Sequence, residues 1–410
     1  MFQTLPPQQQ RNLAVLFGTG LVFWTSLASL LPVLSLYIKD TGASDFQVGI
    51  VMGAFAIGLL VFRPWVGRLA DQRDRKLVLY IGFAAAILAP FGYILTQNII
   101  LLVLVRIFHG LSIAAFTTGF SALVADMSPP QYRGEIIGYM TLVNPMGVAI
   151  GPALGGFLQA WAGYVPLFLF SAGLGLLGLL GVQQLRIPPG DRPLHAPIAE
   201  STNFWQLILS PRLRIPALVL GLVGIAFGAI TIFVPLLIKD SGVALNPGLF
   251  YTAAAIASFT SRLVVGRPSD RYGRGRFITG GLAIYTIALV MLWQAHSAPG
   301  LLLAGFLEGA GAGVIIPVIV ALAADRSEAQ ERGRVFSLVL AGFDLGMAIA
   351  GPIFGYFALS LGYQGVFGVT ASLTFLALIL FVILNSKTLA YSLKFSLGSG
   401  QDVYALPKSF

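Results

Sequence analysis

Five polar side chains fall deep within apolar stretches of the chain: Arg106, His109, Asn144, Glu308 and Asp344. A charge in such surroundings is costly unless it is paired or wetted, so each marks a candidate working position. A carboxylate withdrawn from water can load and release a proton near neutral pH, which makes Glu308 and Asp344 candidate proton carriers. Arg106 stays charged throughout and cannot run a proton cycle itself. It can bias a neighbour or hold an anion. His109 follows three residues later on the same helical face, the spacing of adjacent turns. A His109/Glu308 pair offers too few ligands for a metal, so no metal site is expected. With three His and no Cys in the chain, no nucleophile, base and acid converge, and neither an enzyme nor a cofactor is expected.

These groups must be positioned by elements that live in lipid. Only 10% of the 410 residues are charged while 57% are hydrophobic, against about 25% charged in soluble domains. Mean hydropathy is +0.85. Spanning the hydrocarbon takes about 20 apolar residues per helix, and twelve such runs are readable: 12–37, 46–67, 77–97, 99–125, 134–161, 163–185, 214–238, 247–266, 277–296, 299–324, 334–361 and 363–385. They are numbered here as spans 1 to 12. Span 1 is too long for a signal peptide and no small-residue cleavage site precedes span 2.

Of the 25 Lys and Arg, 20 fall in the two tails and the loops after even-numbered spans. Two, Lys39 and Lys239, follow odd-numbered spans, and three, Arg63, Arg106 and Arg262, lie within or at the ends of spans. This asymmetry predicts cytoplasmic N and C termini. The net charge of +9 is thus a topology mark, and no nucleic acid partner is expected. Residues 186–213 carry Pro188, Pro189, Gly190, Pro193, Pro197 and Pro211 and read as a cytoplasmic linker, with Asn203-Phe204-Trp205-Gln206-Leu207 at the bilayer surface.

The chain is written twice. Ile38-Lys39-Asp40-Thr41-Gly42 returns as Ile238-Lys239-Asp240-Ser241-Gly242, and Arg63…Gly67-Arg68…Asp71 returns as Arg262…Gly266-Arg267…Asp270. Ala125-Asp126…Arg133-Gly134 returns as Ala324-Asp325…Arg332-Gly333, and Gly151-Pro152…Gly155 as Gly351-Pro352…Gly355. The offset is 199 or 200 throughout. At that offset Glu308 is the mate of His109, and Asp344 of Asn144. Six spans per copy is an even number, so both copies enter the membrane in the same orientation, related by an axis along its normal. A substrate cavity between two bundles at the midplane is the expected construction.

Three of these motifs carry a resemblance. Gly67-Arg68-Leu69-Ala70-Asp71-Gln72-Arg73-Asp74-Arg75-Lys76 is similar to the first signature of the major facilitator superfamily, departing at Asp74 where Gly is usual; the second copy keeps Gly273. Arg106-Ile107-Phe108-His109-Gly110 in span 4 resembles the proton-linked Arg signature. Gly147…Gly151-Pro152…Gly155-Gly156 in span 5 resembles the signature of the drug:proton antiporter branch. The resemblance implies an all-α polytopic fold of 12 transmembrane helices in two six-helix bundles. The expected segments are 1–185, the linker 186–213, the bundle 214–385 and a cytoplasmic tail 386–410. It also implies a cavity lined by spans 1, 4, 7 and 10, with Trp24, Thr25, Ser29, Asn144, Phe227, Thr231 and Glu308 as candidate lining residues. Such an apolar, aromatic lining suits amphiphilic substrates, although span 1 lacks the acid found in several multidrug members.

Asp71 closes span 2 where Arg75 and Lys76 begin span 3, so it can accept charge-assisted hydrogen bonds from Arg75 and face a helix amino end. Asp126 is the expected further partner. Asp270, Arg274 and Asp325 repeat the set, and together the six form a candidate cytoplasmic gate. Gly147, Gly151 and Gly155 line one helix face and permit close backbone packing beside the kink at Pro152, as Gly351 and Pro352 do in span 11; a tight seam between the two halves is expected. The leading expectation is an exporter of a small amphiphilic molecule by proton antiport, a monomer in a bacterial plasma (inner) membrane. Its partners would be substrate, protons and lipid. Asp344 is favoured as the proton carrier, two turns before Gly351-Pro352, with Glu308 as a substrate contact. The alternatives are an uptake symporter, an uncoupled facilitator and a transport-inactive sensor.

Overall fold

Proline and the capping residues decide where the apolar runs start and break. The computed structural model describes residues 5–129, 132–186, 210–328 and 331–406. Among these the helices are α1 (Pro7–Ser29), α2 (Leu34–Asp40), α3 (Asp45–Gln72), α4 (Arg75–Leu95), α5 (Ile99–Asp126), α6 (Arg133–Thr141), α7 (Val143–Ala162) and α8 (Tyr164–Gln183). They continue with α9 (Arg214–Asp240), α10 (Pro247–Tyr272), α11 (Arg274–Gln294), α12 (Ala298–Asp325), α13 (Arg332–Leu384) and α14 (Leu389–Ser396). Span 1 is built from α1 and α2, and span 5 from α6 and α7. Each break falls one turn before a proline. α1 stops at Ser29 before Pro32 and α6 stops at Thr141 before Pro145, because the proline ring crowds the carbonyl four residues back.

Eleven helices are long and apolar enough to cross a membrane. The last of them, α13, contains spans 11 and 12, separated at Gly362 by φ 66°, ψ 166°. Its repeat mate Gly163, at φ 88°, ψ −172°, separates spans 5 and 6 in the same manner. Extended ψ at positive φ is open to glycine alone, so one residue turns the chain in each copy. Capping fixes other starts. Ser44 and Gln47 form a reciprocal capping box on span 2, and Asn98 accepts from the amide of Ile100 at 2.9 Å on span 4.

The chain divides into two compact units, residues 1–194 with 245–252 and residues 195–244 with 253–410. In the first unit span 1 packs on spans 5 and 6, span 2 on span 4, and span 3 on spans 4 and 6. Its core gathers Phe23, Phe83, Phe116 and Phe120, with Phe23 stacked on Phe116 at 3.8 Å. The second unit repeats the pairing, span 7 on span 11 and span 9 on span 10, with span 8 meeting span 10 where Ser258 lies against Gly313. Trp161 and Leu359 are among the large apolar side chains left exposed, as a lipid-facing surface requires.

The glycine face of span 5 meets span 1 inside the first unit. A Cβ on Gly151 would sit 2.7 Å from the Thr25 carbonyl oxygen and 2.9 Å from the Ser29 amide nitrogen, and one on Gly155 would fall on the Ser29 backbone. Gly156 instead faces Asn246, and Pro152 faces Gly248, at the start of span 8. The seam expected between the halves is therefore chiefly a seam of spans 1 and 5 within one bundle. The second unit builds its version from both partners. Gly228 lies under Ala350 and Met347, and Gly346 under the Gly221 carbonyl and Ile225.

Candidate functional site

In the first unit the structure brings Arg106 and His109 together with two residues that sequence reasoning passed over, Phe55 and Tyr93. His109 is 2% exposed, and its Nδ1 lies 2.8 Å from the Tyr93 hydroxyl. Phe55 on span 2 covers both groups: its ring centre is 4.4 Å from the Arg106 guanidinium carbon and 5.4 Å from the His109 ring. Arg106 Nη2 donates to the Met52 carbonyl at 3.3 Å, while Nε, buried, has no hydrogen-bond partner. Among the described residues no carboxylate pairs with Arg106. Its charge is met by a carbonyl and an aromatic face, which is cation–π attraction in a desolvated setting. Tyr93 is held in turn from span 1, where the Tyr37 hydroxyl donates to the Tyr93 carbonyl at 2.6 Å.

The second unit keeps the backbone contact and changes the side chains. Gly110 packs on the Phe55 carbonyl, and its mate Gly309 packs on the carbonyl of Ala254, the mate of Phe55. The mate of Arg106 is Gly305. Glu308 is 4% exposed, and the guanidinium of the first copy has no counterpart at position 305. Tyr285 of span 9, fully buried, interacts with the Glu308 carboxylate, yet among the described residues neither Glu308 Oε1 nor the Tyr285 hydroxyl has a partner in good hydrogen-bond geometry. Such orphaned polar atoms are rare in folded proteins and point to a functional duty. Asp344 on span 11 is 6% exposed and is engaged with neighbouring groups. Its mate Asn144 is half-buried.

The other candidate lining residues divide. Thr25 and Ser29 are buried at the seam with span 5, their hydroxyls donating to Leu21 and Ser26 carbonyls of their own helix at 2.8 and 2.7 Å. Helical spacing explains this, because 25 and 29 share the face that meets Gly151 and Gly155. Trp24 is half-buried, edge-on to Phe116 at 6.4 Å. Phe227 lies against Phe343 at 5.4 Å, and Thr231 donates to the Gly228 carbonyl at 2.9 Å.

At the loop ends the gate residues form ion clusters. Arg75 pairs with Asp126 and donates to the Ala122 carbonyl at 3.2 Å. Arg274 pairs with Asp325 and, at 2.8 Å, with Asp270. The side chain of Asp71 lies outside those described, as does the stretch 203–207. The two turns differ. Gly273 takes φ 90°, whereas its mate Asp74 stays extended at φ −148° and caps span 3 with its carboxylate on the Lys76 amide at 2.8 Å. Asp74 replaces a left-handed turn by a cap, so the departure from Gly leaves a regular helix start.

With this geometry in place, the comparisons with known proteins are consistent. The family model described as Major Facilitator Superfamily matches residues 16–279 and 244–396. The chain is 25% identical over 320 residues to the quinolone resistance protein NorA of Staphylococcus aureus (strain MSSA476), covering 75% of this chain and 80% of that one. It is 27% identical over 379 residues to the multidrug resistance protein MdtG of Serratia proteamaculans (strain 568), covering 88% and 90%. In fold it is similar to the crystal structure of the nucleoside transporter NupG (D323A mutant), with TM-score 0.76 at 13% identity over 90% of this chain and 98% of that one. It is also similar to the human organic anion transporter MFSD10, with TM-score 0.64 at 20% identity over 92% and 99%.

Proposed function

Because the chain belongs to the major facilitator superfamily and is a multi-pass membrane transporter, we propose that it exports a small amphiphilic organic molecule across a bacterial inner membrane in exchange for protons. The observation that carries the coupling is Glu308: a carboxylate buried mid-span beside Tyr285, with an oxygen that no described residue meets in good hydrogen-bond geometry. Protonated, it is neutral and needs one acceptor; ionised, it needs a cation or substrate close by. Binding a proton and binding a substrate with a positive or donor group are then mutually exclusive, which is the requirement of an antiporter. The proton role favoured for Asp344 on sequence thereby passes to Glu308 in this reading. Asp344 already interacts with neighbouring groups.

Export as the direction rests on the span 5 pattern and on relatives named for quinolone and multidrug resistance. The two repeats supply the moving parts, each bundle turning as a body about the substrate. The ion clusters at Arg75–Asp126 and Asp270–Arg274–Asp325 are the latch that opens and closes with that motion. Everted vesicles under an imposed proton gradient test the coupling. Glu308→Gln is expected to abolish uphill accumulation while downhill exchange survives, and Asp344→Asn is expected to retain gradient-driven transport if it is expressed. Uphill transport by Glu308→Gln would refute coupling through this residue.

A further inference from the structure

The polar tail after span 12 folds back on the second unit through one arginine. Arg326 follows Asp325 and is fully buried. All five of its N–H groups are used. Nε and Nη2 grip the Asp402 carboxylate at 2.7 and 2.9 Å. Nη1 donates to the Arg212 carbonyl at 2.8 Å and to Asn385 Oδ1 at 3.1 Å, and Nη2 also reaches the Asn385 carbonyl at 3.2 Å. The Tyr404 ring lies 5.2 Å from the guanidinium. A buried guanidinium costs several kcal/mol to desolvate unless every donor is met, and here the tail supplies the carboxylate that pairs with it among the described residues.

The tail also touches both sides of the neighbouring ion cluster. The Leu406 amide donates to the Asp325 carbonyl at 2.9 Å. α14 packs on the start of span 9, where Gly275 lies under the Phe395 carbonyl and the Thr279 hydroxyl donates to the Ser396 carbonyl at 2.9 Å. Arg274 precedes Gly275 directly. The tail thus bridges the helix that carries Arg274 and the residue that carries its partner carboxylate. The mate of Arg326 is Met127, which sits in the apolar core with Leu123, Val124 and Ile136.

We infer that the carboxyl-terminal tail is part of the second unit's latch, with Asp402 and Arg326 as positioning residues that hold Asp325 against Arg274. This rests on the latch reading above. The Arg274–Asp325 pair is then braced from outside the two helices that carry it.

Hydrogen exchange and vesicle transport on the full-length protein test it together. Asp402→Asn is expected to speed amide exchange in residues 322–328 at least about tenfold, the loss of one partner of a buried pair, and to lower the transport rate. Exchange in residues 123–128 stays unchanged, and Asp402→Glu restores most of the effect. Leu406→Pro removes the amide that holds Asp325 and leaves the Asp402 and Arg326 side chains in place, so it reports on positioning even if Asp402→Asn folds poorly. Unchanged exchange at 322–328 in Leu406→Pro, or in folded Asp402→Asn, overturns the inference. Arg274→Gln separates the two readings: if it leaves transport unaltered the latch itself is wrong, and if it alone impairs transport the latch stands without the tail.

Discussion

Replacing Gly155 by alanine isolates the seam between spans 1 and 5. The added Cβ would fall on the Ser29 backbone, with its Cα 2.9 Å away and its carbonyl carbon 2.6 Å away. Neither atom can rotate aside, so relief requires the two helices to part. Overpacking of this kind costs about 1–3 kcal/mol, which corresponds to about 2–12 °C for a unit of this size at about 2–4 °C per kcal/mol. Gly173 is the matched control. It lies exposed in span 6 with nothing within 4 Å of a Cβ, so alanine there gains helix propensity, about 0.5–1 kcal/mol, at no steric cost. Thermal unfolding of detergent-solubilised protein, followed by fluorescence-detected size exclusion, reads both. The two variants are expected to shift the midpoint in opposite directions. Equal midpoints would refute the close approach and the packing argument built on it.

Two other substitutions probe the polar clusters. Asp270→Asn removes a pair whose acid is 62% exposed, worth at most about 1 kcal/mol, and is expected to change transport less than about fivefold. Arg274→Gln frees two carboxylates at once, Asp270 and Asp325, and is expected to change it by more; initial rates in vesicles rank the two. Tyr93→Phe leaves buried His109 Nδ1 without its partner at 2.8 Å, a loss of about 1–3 kcal/mol, measurable as a lower unfolding midpoint that a Tyr391→Phe control at an exposed position does not show.

Much of the fold is legible because lipid imposes a simple rule. Each apolar run reads as a span, and the offset of 199 or 200 reads as two copies. The breaks at Ser29 and Thr141 were within reach too, since Pro32 and Pro145 forecast them one turn upstream. The site was readable only in part. Arg106, His109 and Glu308 stand out as charges among apolar residues, but Tyr93, Tyr285 and Phe55 do not, because an aromatic in a span is ordinary. Only the packing of neighbouring spans shows which rings touch the charges. By resemblance Thr25 and Ser29 are expected to line the cavity, whereas both hydroxyls bond to their own helix at the seam with span 5. The tail was read as polar and short, and nothing in its composition announces that Asp402 reaches back 76 residues to Arg326.

The paired glycines Gly163 and Gly362 separate two kinds of constraint that a mutational tolerance map would otherwise merge. Around each there is open space, so size does not limit what can stand there. Handedness does: at φ 88° and φ 66° every natural L side chain is strained, including alanine, while a D-residue introduced by semisynthesis would take the same backbone without strain. Gly155 has the reverse character: its helical backbone suits any L residue, and the contact with Ser29 leaves no room for the added atom. In a saturation library the first class would reject all nineteen substitutions to a similar degree, and the second would reject them in order of volume.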